Sequence, residues 1–443
     1  MTAFRELNVR NRIKTLKDEG CLNETEAALL IQQLAESSNA TIPADIANHM
    51  IEHQIGKYTL PVGVVRGLIV NDEVRDVLVA TEEPSVIAAA CNGARIAATS
   101  IEGCIVANSP QYVTTAQIVF EDLDSSVAAR LSEIAKNREK IEELLRVANE
   151  SHPSMMKRGG GARECRVSAL HGFAKLEIDV DTCDAMGANT VNTMGEAVKA
   201  QLESWLGVQA LVAILTNTSR VATTAEVRIP VEALVSKRLE EAKREGEGKR
   251  LARRIAALSA LAASDPDRAA THNKGILNGI AGAALASGND TRALETAAHA
   301  WAAHSGRYLP LSTWNTETLN HQIILHGRIE IPLQVGIVGG SISSLPMAKL
   351  AIRIGKYKNA NDFRDTLAAL GLVQNLAALR ALAGPGIQAG HMALQASNIA
   401  IAAGAKGAEI QQIAHNLMQL SASERTTEKV AQLLKKLRES SKN

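Results

Sequence analysis

Cysteine is scarce in this 443-residue chain and follows no pattern. Cys21, Cys91, Cys104, Cys165 and Cys183 include no CxxC pair. An odd number at irregular spacing excludes a disulfide framework and a cysteine zinc site; the expectation is a reducing, cytoplasmic setting with no bound metal. Aromatic residues make up only 2%, too few for a base-stacking platform. An excess of either charge is also missing. The 48 basic residues meet 47 acidic ones, which argues against a dedicated nucleic-acid binder. No apolar signal core appears at the N-terminus, where Arg5, Glu6 and Arg10 fall. The longest uncharged stretch, 381–405, contains Pro385, Gln388, His391, Gln395, Ser397 and Asn398. It reads as a buried or site-forming segment, not as a membrane span.

What remains is a long chain with a core of Ala, Leu, Ile and Val, suited to tightly packed helices in two or three domains. Ile13 and Leu16, then Ala27–Leu30, have helical spacing. Residues 84–98 read as a helix with Pro84 in its first turn. From 113 to 218 the pattern changes. Thr114–Phe120 is a strand, and Leu131, Ile134, Ile141, Leu144 and Leu145 mark one long amphipathic helix. After a turn at Gly159, Gly160 and Gly161 come strands at Cys165–Leu170 and Lys175–Asp181. In the second, Leu176, Ile178 and Val180 alternate with charged residues, as in a half-buried strand with one wet face. A helix over about 187–206 and a strand at Ala210–Asn217 complete a βαββαβ order, the ferredoxin-like arrangement, inserted in a mainly helical chain. The charged run from 231 to 262, with Lys237, Arg238, Glu240, Glu241, Lys243 and Arg244, reads as a solvated helix face. Residues 287–304 and 361–404 read as Ala/Leu-rich helices. Val430, Leu433, Leu434 and Leu437 fall on one helical face at the tail. No period of 20–50 residues recurs.

Six segments carry chemistry. In the first, Glu82 and Glu83 precede Pro84 and Ser85. They are an ordinary acidic first turn, or one is a buried carboxyl of raised pKa that donates a proton. The second is Asp184-Ala-Met186-Gly187-Ala-Asn189-Thr-Val-Asn192-Thr-Met, which follows a strand and opens a helix. Its small residues admit a phosphate at a helix N-terminus, though it is not GxGxxG. The third holds Lys274 among Arg268, Thr271, Asn273 and Asn278, without close acids. Such a lysine is a surface cation or an oxyanion stabiliser beside a carboxylate-binding arginine. Gly288-Asn289-Asp290 is by itself a turn. His391, between Gly390 and Met392, is a lone histidine with a pKa suited to acid chemistry. The glycine-rich Val335–Ser341 admits a ligand or makes a tight turn.

Taken in order, these segments resemble class II 3-hydroxy-3-methylglutaryl-CoA (HMG-CoA) reductases, the soluble bacterial form. The resemblance runs from Ala3-Phe4-Arg5 past His391. It rests on Glu-Glu-Pro-Ser, Asp-Ala-Met-Gly-Ala-Asn-Thr-Val-Asn-Thr-Met, Arg-Ala-Ala-Thr-His-Asn-Lys-Gly, Gly-Asn-Asp and Gly-His-Met-Ala-Leu. It implies an α+β fold in three parts: a discontinuous catalytic domain (1–112 and 219–384), a small dinucleotide-binding domain (113–218) and a helical C-terminal flap (385–443). It implies reduction of HMG-CoA to mevalonate and free CoA with two nicotinamide hydrides, reversible in direction. Lys274 would stabilise the oxyanion, Glu83 would donate a proton to the aldehyde, and His391 would protonate the CoA thiolate. Asp290 would tune Lys274 and Glu83 through a shared hydrogen-bond network. Ser85, Arg268, Thr271 and Asn278 would surround the HMG moiety, and Arg5 would meet a CoA phosphate. Asp184, Met186, Gly187, Asn189 and Asn192 would line the cofactor. The family implies a homodimer, or an oligomer of dimers, with interfacial sites.

Two positions depart from the family pattern. NADH-specific relatives carry an aspartate where His152 stands, with Lys157 and Arg158 nearby. This change favours acceptance of NADPH over strict dependence on NADH. Gln395 replaces a second histidine that some relatives carry. The alternatives are a reductase of another carboxylated acyl-CoA, or a non-catalytic CoA- or nucleotide-binding protein on the same scaffold.

Overall fold

The structure is a computed structural model. It describes residues 4, 7–33, 42, 49–55, 57–123, 125–236, 239–384, 396, 399–420 and 427–440. The chain opens with helices α1 (Val9–Asp18) and α2 (Glu24–Gln33), then a ribbon of β1 (Val62–Val70) and β2 (Glu73–Ala80). Next come α3 (Val86–Ala97) and β3 (Val106–Asn108). The middle consists of β4 (Thr114–Glu121), α4 (Ser126–Lys136), α5 (Arg138–Ser151), α6 (Pro153–Lys157), β5 (Gly161–Leu170), β6 (Phe173–Asp181), α7 (Ala188–Leu206) and β7 (Val212–Leu215). After β8 (Thr223–Pro230) come α8 (Glu241–Ser264), α9 (Pro266–Ala286) and α10 (Thr291–Ala303). The hairpin β9 (Ser312–Leu319) and β10 (Gln322–Ile331) leads to α11 (Pro346–Gly355) and α12 (Ala360–Ala383). Helices α13 (Ala408–Met418) and α14 (Thr427–Ser440) follow.

The middle segment is the ferredoxin-like unit. Its sheet runs β5-β6-β4-β7, with every pair antiparallel. Helices α4, α5 and α7 bury Leu131, Leu144, Met194 and Val198 against Ile118, Leu176 and Ile178 in a core of their own. Two local expectations change. The long amphipathic helix is two helices, because Asn137 turns extended and its side chain accepts from Lys140 N to cap the second. The wet face of β6 is covered. Glu177 accepts from Lys175 Nζ and Gln117 Nε2, both at 2.8 Å, and pairs with Arg220. Asp179 takes Thr115 Oγ1 at 2.6 Å and pairs with Arg166. Long basic side chains folded over the strand thus bury both carboxylates.

The larger core joins the β3-β8-β10-β9 sheet to α3, α8, α9 and α12. Among the described helices, α12 is long and apolar enough to cross a membrane, yet most of it is buried here. It is a core helix. The sequence reading had assigned no element to 265–286. That segment is α9, capped by Asp265 accepting from Asp267 N, with Pro266 at its first position. Helix α3 starts at Val86, two residues after Pro84, so the proline belongs to the turn before it. The helix expected over 361–404 ends at Ala383, and residues 385–395 lie outside the described residues. On α14, Val430 and Leu434 are buried against α13, with Leu433 and Leu437 packed beside them.

Candidate active site

Helix α9 builds the first candidate region because its two faces differ. At about 100° per residue, Arg268, Thr271, Lys274 and Asn278 share one stripe. Ala269, His272, Asn273, Ile276, Leu277 and Ile280 are buried on the other side. Gly282 brings this helix onto β2. A Cβ there would meet Val79 Cγ1 at 2.7 Å and Ala80 O at 3.0 Å. The close approach brings the turn after β2 beneath the stripe. There Thr81 Oγ1 accepts from Glu83 N. Glu83 then reaches α9: Lys274 Nζ donates to its Oε2 at 2.7 Å, and Asn278 Nδ2 to its Oε1 at 3.3 Å.

The pair is open to solvent. The side chains of Lys274 and Glu83 are 62% and 38% exposed. The expected buried carboxyl is therefore not made by one chain; Glu83 is a half-exposed carboxylate facing a cation. Ser85 caps α3 at φ 75° without a side-chain hydrogen bond to the helix. A serine rarely adopts that left-handed backbone. Thr271 Oγ1 donates to Asp267 O on its own helix.

A second candidate region is a cleft of about 320 Å³ at the start of α7. Met155 and Arg158, the run Ala185–Thr190, Gly288–Asp290 and Val338–Gly340 line it. Three motifs converge here. Ile337 N donates to Asp184 O at 2.8 Å, and Asn289 exchanges hydrogen bonds with both Gly336 N and Gly336 O. A Cβ on Gly336 would come within 2.5 Å of Met186 N, so only glycine lets the two segments meet. Met186, Gly187 and Asn189 line the cleft. Asp184 and Asn192 have structural partners: Asp184 Oδ1 accepts from Ala360 N at 2.7 Å, and Asn192 Oδ1 from Leu215 N at 2.8 Å. His152 ends α5 and sits 3.4 Å from Thr190 Oγ1.

Asp290 lines the same cleft. Its carboxylate caps α10, accepting from Arg292 N and Ala293 N, with Arg292 Nε at 3.4 Å. Burial pushes its pKa up, but the Ala293 amide and the Arg292 guanidinium outweigh that and hold it below the usual range. Among the described residues Asp290 makes no hydrogen bond to Lys274 or Glu83, so the shared network is not drawn within one chain. Arg5, His391 and Gln395 lie outside the described residues.

Sequence reasoning missed three groups. His272 and Asn273 stood inside the lysine motif but gave no sign of burial. Asn289 was passed over for its acidic neighbour. A larger cavity of about 600 Å³ was not foreseen at all; Phe4, Cys21, Arg66, Arg95 and Lys356 are among its lining residues. Arg66 stacks on Phe4 at 4.6 Å and pairs with Glu19 and Asp76. Only the fold brings these residues together.

Comparison with known proteins covers nearly the whole chain. A family model described as hydroxymethylglutaryl-coenzyme A reductase matches residues 8–396. The chain is 36% identical to 3-hydroxy-3-methylglutaryl-coenzyme A reductase of Archaeoglobus fulgidus over 93% of its length and 88% of that protein. It is 38% identical to a probable enzyme of the same name from Borreliella burgdorferi, over 80% of this chain and 78% of that one. Among solved structures, a Streptococcus pneumoniae 3-hydroxy-3-methylglutaryl-coenzyme A reductase superposes with a TM-score of 0.79 at 34% identity, covering 98% of this chain and 99% of that one. A class II structure from the same organism, bound to NADPH in open conformations, gives 0.78 at 35% identity over 86% of this chain and 99% of its own.

Proposed function

Because the chain belongs to the hydroxymethylglutaryl-coenzyme A reductase family, and is an oxidoreductase that reduces HMG-CoA, we propose that Glu83, Lys274, Asp290 and His391 carry that reduction. The observation behind this is the Lys274–Glu83 contact at 2.7 Å: a cation and a proton donor on one open face. When bound, the nicotinamide would supply two hydrides in turn, one to the thioester carbonyl and one to the aldehyde formed from it. As the thioester carbonyl gains charge, Lys274 stabilises the oxyanion. His391 protonates the departing thiolate, and Glu83 hands a proton to the aldehyde oxygen. Arg268 holds the free carboxylate of the HMG moiety, with Ser85, Thr271 and Asn278 around it. Reversal of these steps serves the oxidative direction.

Covering the site matters. A half-exposed pair leaves the reacting atoms open to water, and closing a site over them strengthens every charge interaction inside. We place that cover on a second copy of the chain and on the C-terminal segment (385–443), so the working unit is a dimer or an assembly of dimers. CoA's nucleotide end suits the larger cavity. Phe4 in its wall adjoins Arg5, and Arg95 and Lys356 supply positive charge for phosphates, whereas Arg66 is already paired with Glu19 and Asp76. Helix α3 joins the two places. Its twelve residues span about 18 Å, comparable to an extended pantetheine arm.

For the cofactor, residues 113–218 form the binding unit. The α7 N-terminus offers free amides to a pyrophosphate, and the glycine-lined cleft fits a close backbone approach. Met186, Gly187 and Asn189 line it directly; Asp184 and Asn192 hold its walls. With His152 in place of an acid and Arg158 at the cleft, the site accepts the 2′-phosphate of NADPH. The cytoplasm, with its reduced nicotinamides, suits five free cysteines. Steady-state rates with HMG-CoA and each nicotinamide test the cofactor reading. Turnover with NADPH is expected, and strict NADH dependence would refute it.

A further inference from the structure

We propose that His272 is a positioning residue for the reduction: with Asn273 it fixes the rotation of α9 and so aims Lys274 at Glu83. The inference rests on the proposed role of Lys274. His272 and Asn273 immediately precede the lysine, and both are buried where Lys274 is exposed. His272 lies about 200° around the helix from Lys274, and Asn273 about 100°.

Both side chains are tied to the layer beneath. Asn273 Oδ1 accepts from Leu311 N at 2.8 Å, and its Nδ2 donates to Leu309 O at 3.0 Å. That exchange clamps α9 to the segment entering β9. His272 Nε2 meets Ser312 Oγ at 2.7 Å. Ser312 Oγ donates its one hydrogen to Asn375 Oδ1 of α12 at 3.0 Å, and Trp314 Nε1 donates to the same oxygen at 2.7 Å. The hydroxyl hydrogen is thus committed, so the serine must accept from His272. This fixes the imidazole as the Nε2–H tautomer. The chain Trp314–Asn375–Ser312–His272 has a donor and an acceptor at every link, and all four residues are buried. A network satisfied in this way rigidifies what it holds. It ties β9 and α12 to the one turn of α9 that carries the lysine.

The histidine has no part in proton transfer. It is walled off from the exposed stripe by its own helix, and burial together with Arg268 keeps it neutral at working pH. Its contribution is angular. A small rotation of α9 would swing the long Lys274 side chain off the line to Glu83, and misplacements of about 1 Å can cost about 100-fold in rate.

The test uses the full-length enzyme with His272→Leu, His272→Gln, Ser312→Ala and, in parallel, Lys274→Ala. Leucine removes the N–H at similar bulk, whereas glutamine can return a donor near the Nε2 position. For His272→Leu the expected result is a kcat lowered about 10- to 100-fold. KM for the nicotinamide should stay within about twofold, at a temperature where melting curves show the variant folded. Ser312→Ala should give a smaller kcat loss in the same direction, and His272→Gln should recover most of the rate. A folded His272→Leu with wild-type kcat would overturn the proposal, as would a His272→Gln that melts like wild type yet shares the leucine defect. If His272→Leu does not fold, the glutamine and serine variants decide alone. Wild-type turnover in Lys274→Ala would instead strike the lysine's assigned role.

Discussion

Lys274 looks out of place until its partner is seen. Among small and amide residues it reads as a surface cation, and in the fold it is indeed largely exposed, but its ammonium rests on Glu83. An exposed pair of this kind adds little to stability, and the role proposed for it is chemical. His272 is the opposite case: buried, neutral and titrating at about 4, below the 6.5 of a free imidazole, because burial and then Arg268 disfavour its charge. The sign follows directly. Between those two values the unfolded chain binds a proton that the folded one refuses, so stability is present above 6.5 and lost as pH falls towards 4. The full effect is on the order of 3 kcal/mol. Urea midpoints measured from pH 7 to pH 4.5 should therefore fall more steeply for wild type than for His272→Gln. Parallel curves would contradict this.

At the scale of elements, α9 and its seat on β2 decide the site. A Cβ on Gly282 would meet Val79 Cγ1 at 2.7 Å, closer than real Cβ atoms come, and the Ala80 carbonyl oxygen at a tight 3.0 Å. Gly282→Ala should cost about 1–3 kcal/mol and lower kcat as well, since the displaced strand carries the Glu83 turn. Thermal melting and initial rates check both parts; a stable, fully active variant would rule out the close approach. This helix was also the hardest to read from sequence. Asp265-Pro266 is a legible start, but Gly275, Gly279 and Gly282 broke the apolar pattern, and each weakens helix propensity. The ferredoxin-like unit was easier to read, because alternation in β6 and the order of elements survive without tertiary information. Its details were not. Asn137 splits a helix through one side-chain cap, and Arg166 and Arg220 bury carboxylates that alternation assigns to water. The β1–β2 ribbon went unread although it is a local hairpin, closed by Asn71-Asp72 with both residues at positive φ; the larger sheet went unread because β3, β8 and the β9–β10 hairpin come from distant parts of the chain.

Over the whole molecule, the ordered motifs made the family legible, and with it two meetings of distant segments: Glu83 with Lys274 and Asn278, and 185–190 with 288–290. What sequence could not give is how they meet. Glu83 and Lys274 come together within one chain, whereas Asp290 is committed to the α10 cap and Arg292. For the half-exposed pair we propose a cover supplied by a second copy of the chain. Diluting the enzyme through its dissociation range should therefore extinguish turnover as the dimer is lost, with activity tracking mass by sedimentation. A fully active monomer would remove that element. The most direct test of the central claim is nicotinamide absorbance with saturating HMG-CoA for wild type and Lys274→Ala. Wild type should oxidise two nicotinamides per HMG-CoA, and the variant should melt like wild type yet turn over about 100-fold or more slowly. Near-wild-type turnover by folded Lys274→Ala would contradict it.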